Sequence, residues 1–279
     1  MATVSQLLQR ASELQNTSDT AQLDCEILLC HLLRVDRSWL RTWPDGEVSP
    51  QQVEQFEELL AARIQGKPIA HLIGSRGFWT LDLKVTADTL IPRPETEHLV
   101  ELALALPLPD DSGVLDLGTG TGAIALALAA ERSNWQLTAV DYQPKALVVA
   151  RENCQRHQLS NVQIIESNWF SNITAQTSKF DLIVSNPPYI HSDDPHLHQG
   201  DLRFEPISAL ASGADGLEDL RRIISQSREY LNAKGWLLVE HGYQQGPAVR
   251  ELFTTAGFTE VNTQRDYNQL ERITFGQWL

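Results

Sequence analysis

Residues 114–127 read VLDLGTGTGAIALA, an apolar segment followed by alternating glycines and a second apolar segment. The first segment has the length of a buried strand, and the second has the composition of a helix. Glycine permits a sharp turn and lets a ligand approach the backbone closely. The stretch therefore predicts a strand, a tight turn and a helix whose N-terminal amides face a ligand.

Short strands and helices continue to alternate after this stretch. The expected strands are SGVLDLG, WQLTAVD, VQIIES, FDLIVSN, GWLLVEHG, TEVNTQRD and RITFGQWL, and the expected helices are GAIALALAAE, PKALVVARENCQRHQ, GLEDLRRIISQSREYL and QGPAVRELFTTAG. Such alternation predicts an α/β fold with a mainly parallel sheet and helices on both faces. Ligands of these sheets bind at the carboxyl ends of the strands.

The part of the chain before this sheet has a different pattern. Residues 1–70 are predicted to form a small all-helical domain, because their apolar residues recur at helical spacing. The last of these helices begins at a Ser cap followed by Pro and ends at Gly66. Residues 71–92 are predicted to form a short β-hairpin linker, and residues 93–279 the α/β domain.

The composition is that of a folded protein with a strongly acidic balance. The chain has 279 residues, of which 42% are hydrophobic and 21% charged, and its formal net charge is −14. Nonspecific DNA binding depends on cationic side chains, and the sequence has no long run of Lys or Arg. We therefore expect no direct DNA binding and favour a small molecule or a protein, including a basic protein, as the substrate.

Neither membrane insertion nor a metal site is expected. No apolar run approaches the roughly 18–20 residues that span a bilayer, and the first residues lack a signal-peptide pattern, which favours a cytoplasmic protein. The histidines of HSDDPHLHQ are predicted to lie in a solvated loop, and the cysteines to be reduced core residues. These residues are His191, His196, His198, Cys25, Cys30 and Cys154.

The glycine loop by itself is compatible with two classes of ligand. Gly118, Gly120 and Ala123 satisfy the relaxed dinucleotide fingerprint, and Asp141 stands where a carboxylate can accept the ribose hydroxyl hydrogens. A nicotinamide cofactor, or a turn without a ligand, therefore remains open. Asp116 favours S-adenosylmethionine instead, because a carboxylate repels a pyrophosphate but can hold the ammonium group of an amino acid.

A third predicted cofactor element follows the strand VQIIES. Asn168 can hydrogen-bond a purine edge, and Trp169 can pack on an adenine, although core packing is an alternative for this indole. The predicted cofactor-binding residues are Asp116, Gly118, Thr119, Gly120, Thr121, Gly122, Asp141, Asn168, Trp169 and Asn186.

The motif SNPPYI, residues 185–190, ends the strand FDLIVS. The prolines have fixed φ angles and no N–H, so the direction of the neighbouring carbonyls is preset. The side-chain oxygen of Asn186 and the carbonyl of Pro187 can accept both hydrogens of a planar NH2 group, and Tyr189 can add an aromatic face. The motif therefore predicts a site that holds an sp2 nitrogen.

Several stretches together resemble the HemK/PrmC family, the peptide chain release factor glutamine N5-methyltransferases. They are GKPIAHLIGSRGFW, IPRPETE, LDLGTGTGAIALALA, SNPPYI and RFEPISALASGADGLEDLRRII, and the resemblance extends over essentially the whole chain. It implies a class I, Rossmann-like methyltransferase domain and S-adenosylmethionine as the methyl donor. The family often has an acid at the position of Asn168, and an amide can make a similar bond.

The resemblance also implies a substrate, the glutamine of the Gly-Gly-Gln motif in class I release factors, and hence a role in modulating translation termination. The N-terminal helices are implied to help dock the release factor. Asn186, Pro187 and Tyr189 are the expected catalytic residues. The expected substrate-binding residues are these three with Pro188, Arg93 and Glu95.

Three alternatives and one local ambiguity remain at this point. The alternatives are a DNA adenine methyltransferase, a nicotinamide-dependent oxidoreductase and an adenosine-binding regulator without activity. The ambiguity concerns Arg93 and Glu95, which border the pocket in one interpretation and only begin a helix in the other. Glu205 and Pro206 of RFEP are further candidates for the cleft.

Overall fold

The computed structural model describes residues 2–175 and 179–279. The chain forms two compact units. The helical unit comprises the residues up to Ser75 together with His198–Phe204, and the sheet unit comprises Arg76–Leu197 together with Glu205–Leu279. Within the described ranges, no helix has the length and apolar character needed to cross a membrane.

The helical unit has one hydrophobic core, in which Leu28 and Phe56 are fully buried. Ser49 caps the fourth helix through the backbone N–H of Gln52, and Pro50 is its first residue, as the sequence predicted. One two-stranded ladder accompanies the helices. The elements are β1 (Ala2–Thr3), α1 (Val4–Leu8), α2 (Ala21–Leu33), α3 (Arg37–Thr42), β2 (Glu47–Val48), α4 (Pro50–Ile64) and α5 (Ile69–Ile73).

The segment 198–204 supplies charged partners to the helical unit. Arg63 of α4 is buried and bonds to Asp24 of α2 at 2.7 Å and to Asp201 at 3.2 Å. Arg203 donates to the carbonyl of Gln65 at 2.6 Å, directly after α4. The sequence did not predict that this segment belongs to the helical unit, because no local pattern indicates a contact over more than 130 positions.

A two-stranded sheet of β3 (Ser75–Phe78) and β4 (Leu81–Lys84) lies within the predicted hairpin region. A 3₁₀ turn, Pro94–Thr96, then leads into α6 (Glu97–Ala105). The turn contains the PET residues of IPRPETE, so the motif forms a bend that brings Thr96 to the start of a helix.

The sheet unit contains a seven-stranded sheet in the part of the chain that the structure describes. Its order is β7-β6-β5-β8-β9-β11-β10; β5 to β9 are parallel, and β11 is antiparallel to β9 and β10. The predicted mainly parallel α/β fold is therefore confirmed. The elements are β5 (Gly113–Leu117), α7 (Ala123–Glu131), β6 (Gln136–Asp141), α8 (Pro144–Arg156), β7 (Val162–Glu166), β8 (Phe180–Ser185), α9 (Glu218–Ser227), β9 (Leu231–Glu240), α10 (Gly246–Ala256), β10 (Thr259–Arg265) and β11 (Glu271–Gln277).

Both faces of the sheet are buried, which explains the nearly continuous apolar strands. Successive residues of β5 point to opposite faces: Val114 joins the core under α6 and α7, and Leu115 joins the core under α9 and α10. The chain leaves β5 toward β6 on one side, while β8 pairs on the other. This reversal of strand order opens a crevice at the carboxyl ends, where ligands of such sheets bind.

Candidate active site

A cavity of about 400 Å³ lies in the sheet unit, in the crevice at the carboxyl ends of β5, β6 and β8. Its volume falls in the range of small-molecule sites. Among the predicted cofactor residues, it is lined by residues 118–121, Asp141, Asn168, Trp169 and Asn186. Asp116 and Gly122 do not line it.

The glycine loop is tied to the neighbouring strand by its backbone. The N–H groups of Gly118 and Thr119 both donate to the carbonyl of Val140 at 2.9 Å. Gly118 has a φ of +73°, and a Cβ atom there would lie 3.2 Å from the ring of Trp169. Only glycine therefore suits this position, because a side chain would strain the backbone and press on the indole.

Asp141 ends β6 and closes the other side of the loop. Its Oδ2 accepts from the N–H of Gly120 and its Oδ1 from the N–H of Gln143, each at 2.9 Å. Burial raises the pKa of this carboxyl, and the backbone hydrogen bonds oppose the rise. A carboxylate has about four acceptor positions, so Asp141 retains lone pairs that can accept ribose hydroxyl hydrogens.

Asp116 is fully buried behind the glycine loop instead of lining the cavity. Its Oδ2 accepts from the hydroxyl of Thr119 at 2.6 Å and from the N–H of Ala125 at 3.3 Å. Its Oδ1 has no hydrogen-bond partner among the described residues. Burial raises the pKa of Asp116 to about 7. Burying a carboxyl group with one oxygen unpaired costs stability, which makes Asp116 a candidate for a contact with a ligand.

Trp169 both lines the cavity and packs in the core of the sheet unit. It lines the cavity beside the exposed Asn168, and it also packs against the core beneath α9. Its indole Nε1–H donates to Asp219 at 3.1 Å, and its backbone has a φ of +55°. The ring is therefore held in one orientation against the glycine loop.

The SNPPYI motif begins where β8 ends. Asn186 lines the cavity and donates from Nδ2 to Oγ1 of Thr96 at 3.0 Å, and among the described residues nothing donates to its Oδ1. Pro188 also lines the cavity, while Pro187 is buried. Tyr189 is not a lining residue: its hydroxyl donates to Oε1 of Glu240 at 3.3 Å.

The IPRPETE and RFEP motifs meet beside this cavity. Arg93 lines it and forms an ion pair with Glu205, whose side chain is fully buried. Glu205 also accepts from the N–H of Ile91 at 2.9 Å. Pro206 lines the cavity, and Glu95 does not. Arg93 therefore borders this cavity, and its predicted contact with a ligand stays a prediction.

Thr96 and Glu240 are among the polar residues near Asn186 and Tyr189 that the sequence predictions did not include. Thr96 lines the cavity and holds Asn186, and Glu240 is buried at the end of β9 behind Tyr189. A sequence signal for Glu240 existed, because it is an acid at the carboxyl end of the apolar run WLLVE. Its burial depends on β11 and on the turn before α6, which the sequence alone does not bring together.

The histidines and cysteines singled out in the sequence lie outside the cavity. His191, His196 and His198 are exposed, and no three potential metal ligands converge within the described ranges. All cysteines are free. Burial raises the pKa of Cys25 to about 11, so this thiol stays protonated and unreactive at neutral pH.

Comparisons with known proteins cover the whole chain. The PrmC N-terminal domain matches residues 6–74, and the methyltransferase small domain matches residues 97–200. A release factor glutamine methyltransferase of Pseudomonas aeruginosa is 52% identical over 278 residues, which cover 100% of this chain and 99% of that protein. Another, of Escherichia coli, is 48% identical over 272 residues, covering 98% and 97%.

A solved structure shares the fold. The crystal structure of a methyltransferase from Pyrococcus furiosus superposes with a TM-score of 0.54 and 18% identity, covering 79% of this chain and 98% of that chain. At this identity the likeness concerns the fold alone, which is the class I methyltransferase fold expected from the sequence.

Proposed function

Because the chain belongs to the release factor glutamine methyltransferase family, we propose that it methylates the side-chain amide nitrogen of the Gly-Gly-Gln glutamine in class I release factors. The observation that carries the proposal is Asn186, whose amide oxygen lies at the cavity lined by the glycine loop. The modification acts on translation termination, and this substrate implies a cytoplasmic site of action.

The residues around the cavity fit S-adenosylmethionine. Asp141 offers acceptors for a ribose, and the cavity wall of Asn168 and Trp169 suits an adenine. In its ionised form, Asp116 would attract the ammonium group of the cofactor from behind the glycine loop, where its Oδ1 has no hydrogen-bond partner among the described residues. When bound, this cofactor supplies an electrophilic methyl group on its sulfonium sulfur.

The chain contributes by holding a weak nucleophile in place. An amide nitrogen reacts poorly because its lone pair is delocalised. The Oδ1 of Asn186 and the carbonyl of Pro187 would accept the two N–H groups of the glutamine and stabilise positive charge that develops on its nitrogen. The prolines keep these acceptors fixed, so orientation contributes as well. A general base is not required, since the proton can leave after transfer.

Mass spectrometry of a release factor after incubation with enzyme and S-adenosylmethionine tests the proposal. We expect a gain of one methyl group on the glutamine of the Gly-Gly-Gln motif and none on a factor with that glutamine replaced by alanine. Duplex DNA is the alternative acceptor in the same assay. Methylation of the DNA, or binding of NAD in place of S-adenosylhomocysteine in calorimetry, contradicts the proposal.

The helical unit is proposed to dock the release factor away from the methylated glutamine. Binding energy from remote parts of a substrate can promote reaction at the reacting centre. We therefore expect the kcat/KM for an intact release factor to exceed that for a short Gly-Gly-Gln peptide by a large factor. Equal values for the two substrates would mean that the helical unit makes no productive contact.

A further inference from the structure

Glu240 is a buried acid that has no role in the reaction proposed above. It is the last residue of β9 and is 2% exposed. Val239 pairs with Ser185 of β8, so Glu240 and Asn186 follow side by side at the carboxyl ends of adjacent strands. Within the described ranges, its Oε2 has no hydrogen-bond partner, and no Lys or Arg forms an ion pair with it. Such burial is costly, so packing alone does not explain this side chain.

Glu240 contacts Tyr189 of the SNPPYI motif and also Thr96, the side chain that binds Asn186 of the same motif. Tyr189 donates to its Oε1 at 3.3 Å. The hydroxyl of Thr96 interacts with it and favours its ionised form, and Thr96 in turn accepts from Nδ2 of Asn186 at 3.0 Å. The carboxylate of Glu240 therefore contacts the Tyr189 hydroxyl directly and the Asn186 amide through Thr96.

The direction of these hydrogen bonds decides how Asn186 faces the cavity. A threonine hydroxyl has one hydrogen to donate, and an ionised carboxylate can only accept. With Glu240 ionised, Thr96 directs its hydrogen toward Glu240 and accepts from Asn186, so the amide presents Oδ1 to the cavity. With Glu240 protonated, Thr96 can accept from Glu240 and donate to Asn186. The flipped amide then presents NH2, which cannot accept from a glutamine N–H.

We propose that Glu240 is a positioning residue for methyl transfer, which through Thr96 holds the Asn186 amide with its oxygen toward the substrate nitrogen and through Tyr189 holds the aromatic ring of the motif. This role rests on the proposed function, because it matters only if Asn186 Oδ1 receives an N–H of the substrate. Thr96, the last residue of the 3₁₀ turn, is the link between the acid and the motif.

The charged and titratable groups around Glu240 influence the pH range in which its carboxyl group is ionised and can position Asn186. Arg272 of β11 favours its ionised form, while Glu95 in the turn before α6 opposes it, and Tyr189 and His241 are the other titratable neighbours. Burial is the largest influence and raises the pKa of Glu240 to about 7. Because the ionised form is the competent one, kcat is expected to rise as the pH increases through about 7.

Two pairs of variants test the role at saturating cofactor. Glu240→Gln removes the charge and keeps the shape; we expect kcat to fall roughly 10- to 100-fold and to lose its rise near neutral pH, with S-adenosylhomocysteine affinity unchanged. The exposed Glu229→Gln is the matched control. Thr96→Val breaks the link and should resemble Glu240→Gln, whereas Thr96→Ser keeps the hydroxyl and should restore kcat.

A measurement without substrate separates this role from the proposed function. The side-chain NH2 signal of Asn186 in a 15N spectrum, assigned by its loss in Asn186→Ala, should shift with a midpoint near the pKa of Glu240 and stop shifting in Glu240→Gln. An unresponsive signal, or a Glu240→Gln kcat equal to that of wild type, overturns the positioning role alone. A wild-type protein that binds S-adenosylhomocysteine but methylates no release factor overturns both proposals.

Discussion

Asn186 has the most direct part in the proposed reaction, since its Oδ1 is an acceptor at the cavity. Asn186→Ala should lower kcat roughly 10²- to 10³-fold, the usual effect of removing one preorganised hydrogen-bonding group from a developing charge. Binding of S-adenosylhomocysteine should persist. Single-turnover methylation of a release factor and calorimetry measure the two quantities. Asn268→Ala, at an exposed position, is the control, and equal rates for the two variants would contradict the assigned role.

Asp116 should make cofactor binding dependent on pH. Its pKa of about 7 means that it is largely protonated below neutrality and ionised above it. Only the ionised form attracts an ammonium group, so the affinity for S-adenosylhomocysteine should increase from about pH 6 to about pH 8, by at most about tenfold per pH unit. Asp116→Asn should bind more weakly, and its affinity should change little over this range. Calorimetry at several pH values decides; a wild-type affinity independent of pH would exclude the contact.

For single residues, the sequence indicated which positions lie near the cavity, but it indicated less well the directions in which their side chains point. Asp141 and Asn186 were predictable because Asp141 ends one apolar strand and Asn186 directly follows another, and the carboxyl ends of these strands converge. Asp116 precedes the end of β5 by one residue, so strand alternation turns it toward α7, where it accepts from the N–H of Ala125. The contact of Thr96 with Asn186 joins positions 90 residues apart, and no local pattern indicates it.

The turn between β5 and α7 forms one wall of the proposed cofactor site. Gly118→Ala introduces a side chain at a φ of +73° and a Cβ 3.2 Å from Trp169. We expect a loss of about 1–2 kcal/mol in the free energy of unfolding and weaker S-adenosylhomocysteine binding. Gly77→Ala in β3, where an added Cβ meets nothing within 4 Å, should leave both quantities unchanged. Chemical denaturation and calorimetry provide the readouts, and equal behaviour of the two variants would refute the explanation.

The sequence predicted the long helices and strands with a regular apolar pattern, and it did not predict the short helices. The helices α2 and α4 and the parallel strands were predicted because each carries a complete apolar face or run. The helices α3 and α5 have six and five residues, too few to show a period. The strand β9 begins at Leu231, earlier than expected, because residues after α9 join the ladder beside β8 instead of extending the helix.

On the scale of the whole molecule, removing one partner of the buried ion pair in the helical unit should destabilise the protein strongly. The side chains of Arg63 and Asp24 are 8% and 6% exposed, whereas Asp201 is 45% exposed. Asp24→Ala leaves a buried guanidinium without its main partner and should cost about 3–5 kcal/mol. Asp201→Ala should cost less than about 1 kcal/mol. Denaturant titration followed by tryptophan fluorescence measures the free energy of unfolding of both variants. Similar losses would show that burial does not determine how much each ion pair contributes to stability.

The return of residues 198–204 to the helical unit has a consequence for recombination between relatives. A chimaera that exchanges only the residues up to Ser75 would combine the N-terminal segment of one relative with the 198–204 segment of another. The contacts Arg63–Asp201 and Arg203–Gln65, however, join these two segments within one chain. Gly66 leaves so little room that a Cβ there would collide with the Arg203 guanidinium. The exchangeable module is therefore discontinuous in the gene, and successful transplants need two insertions rather than one.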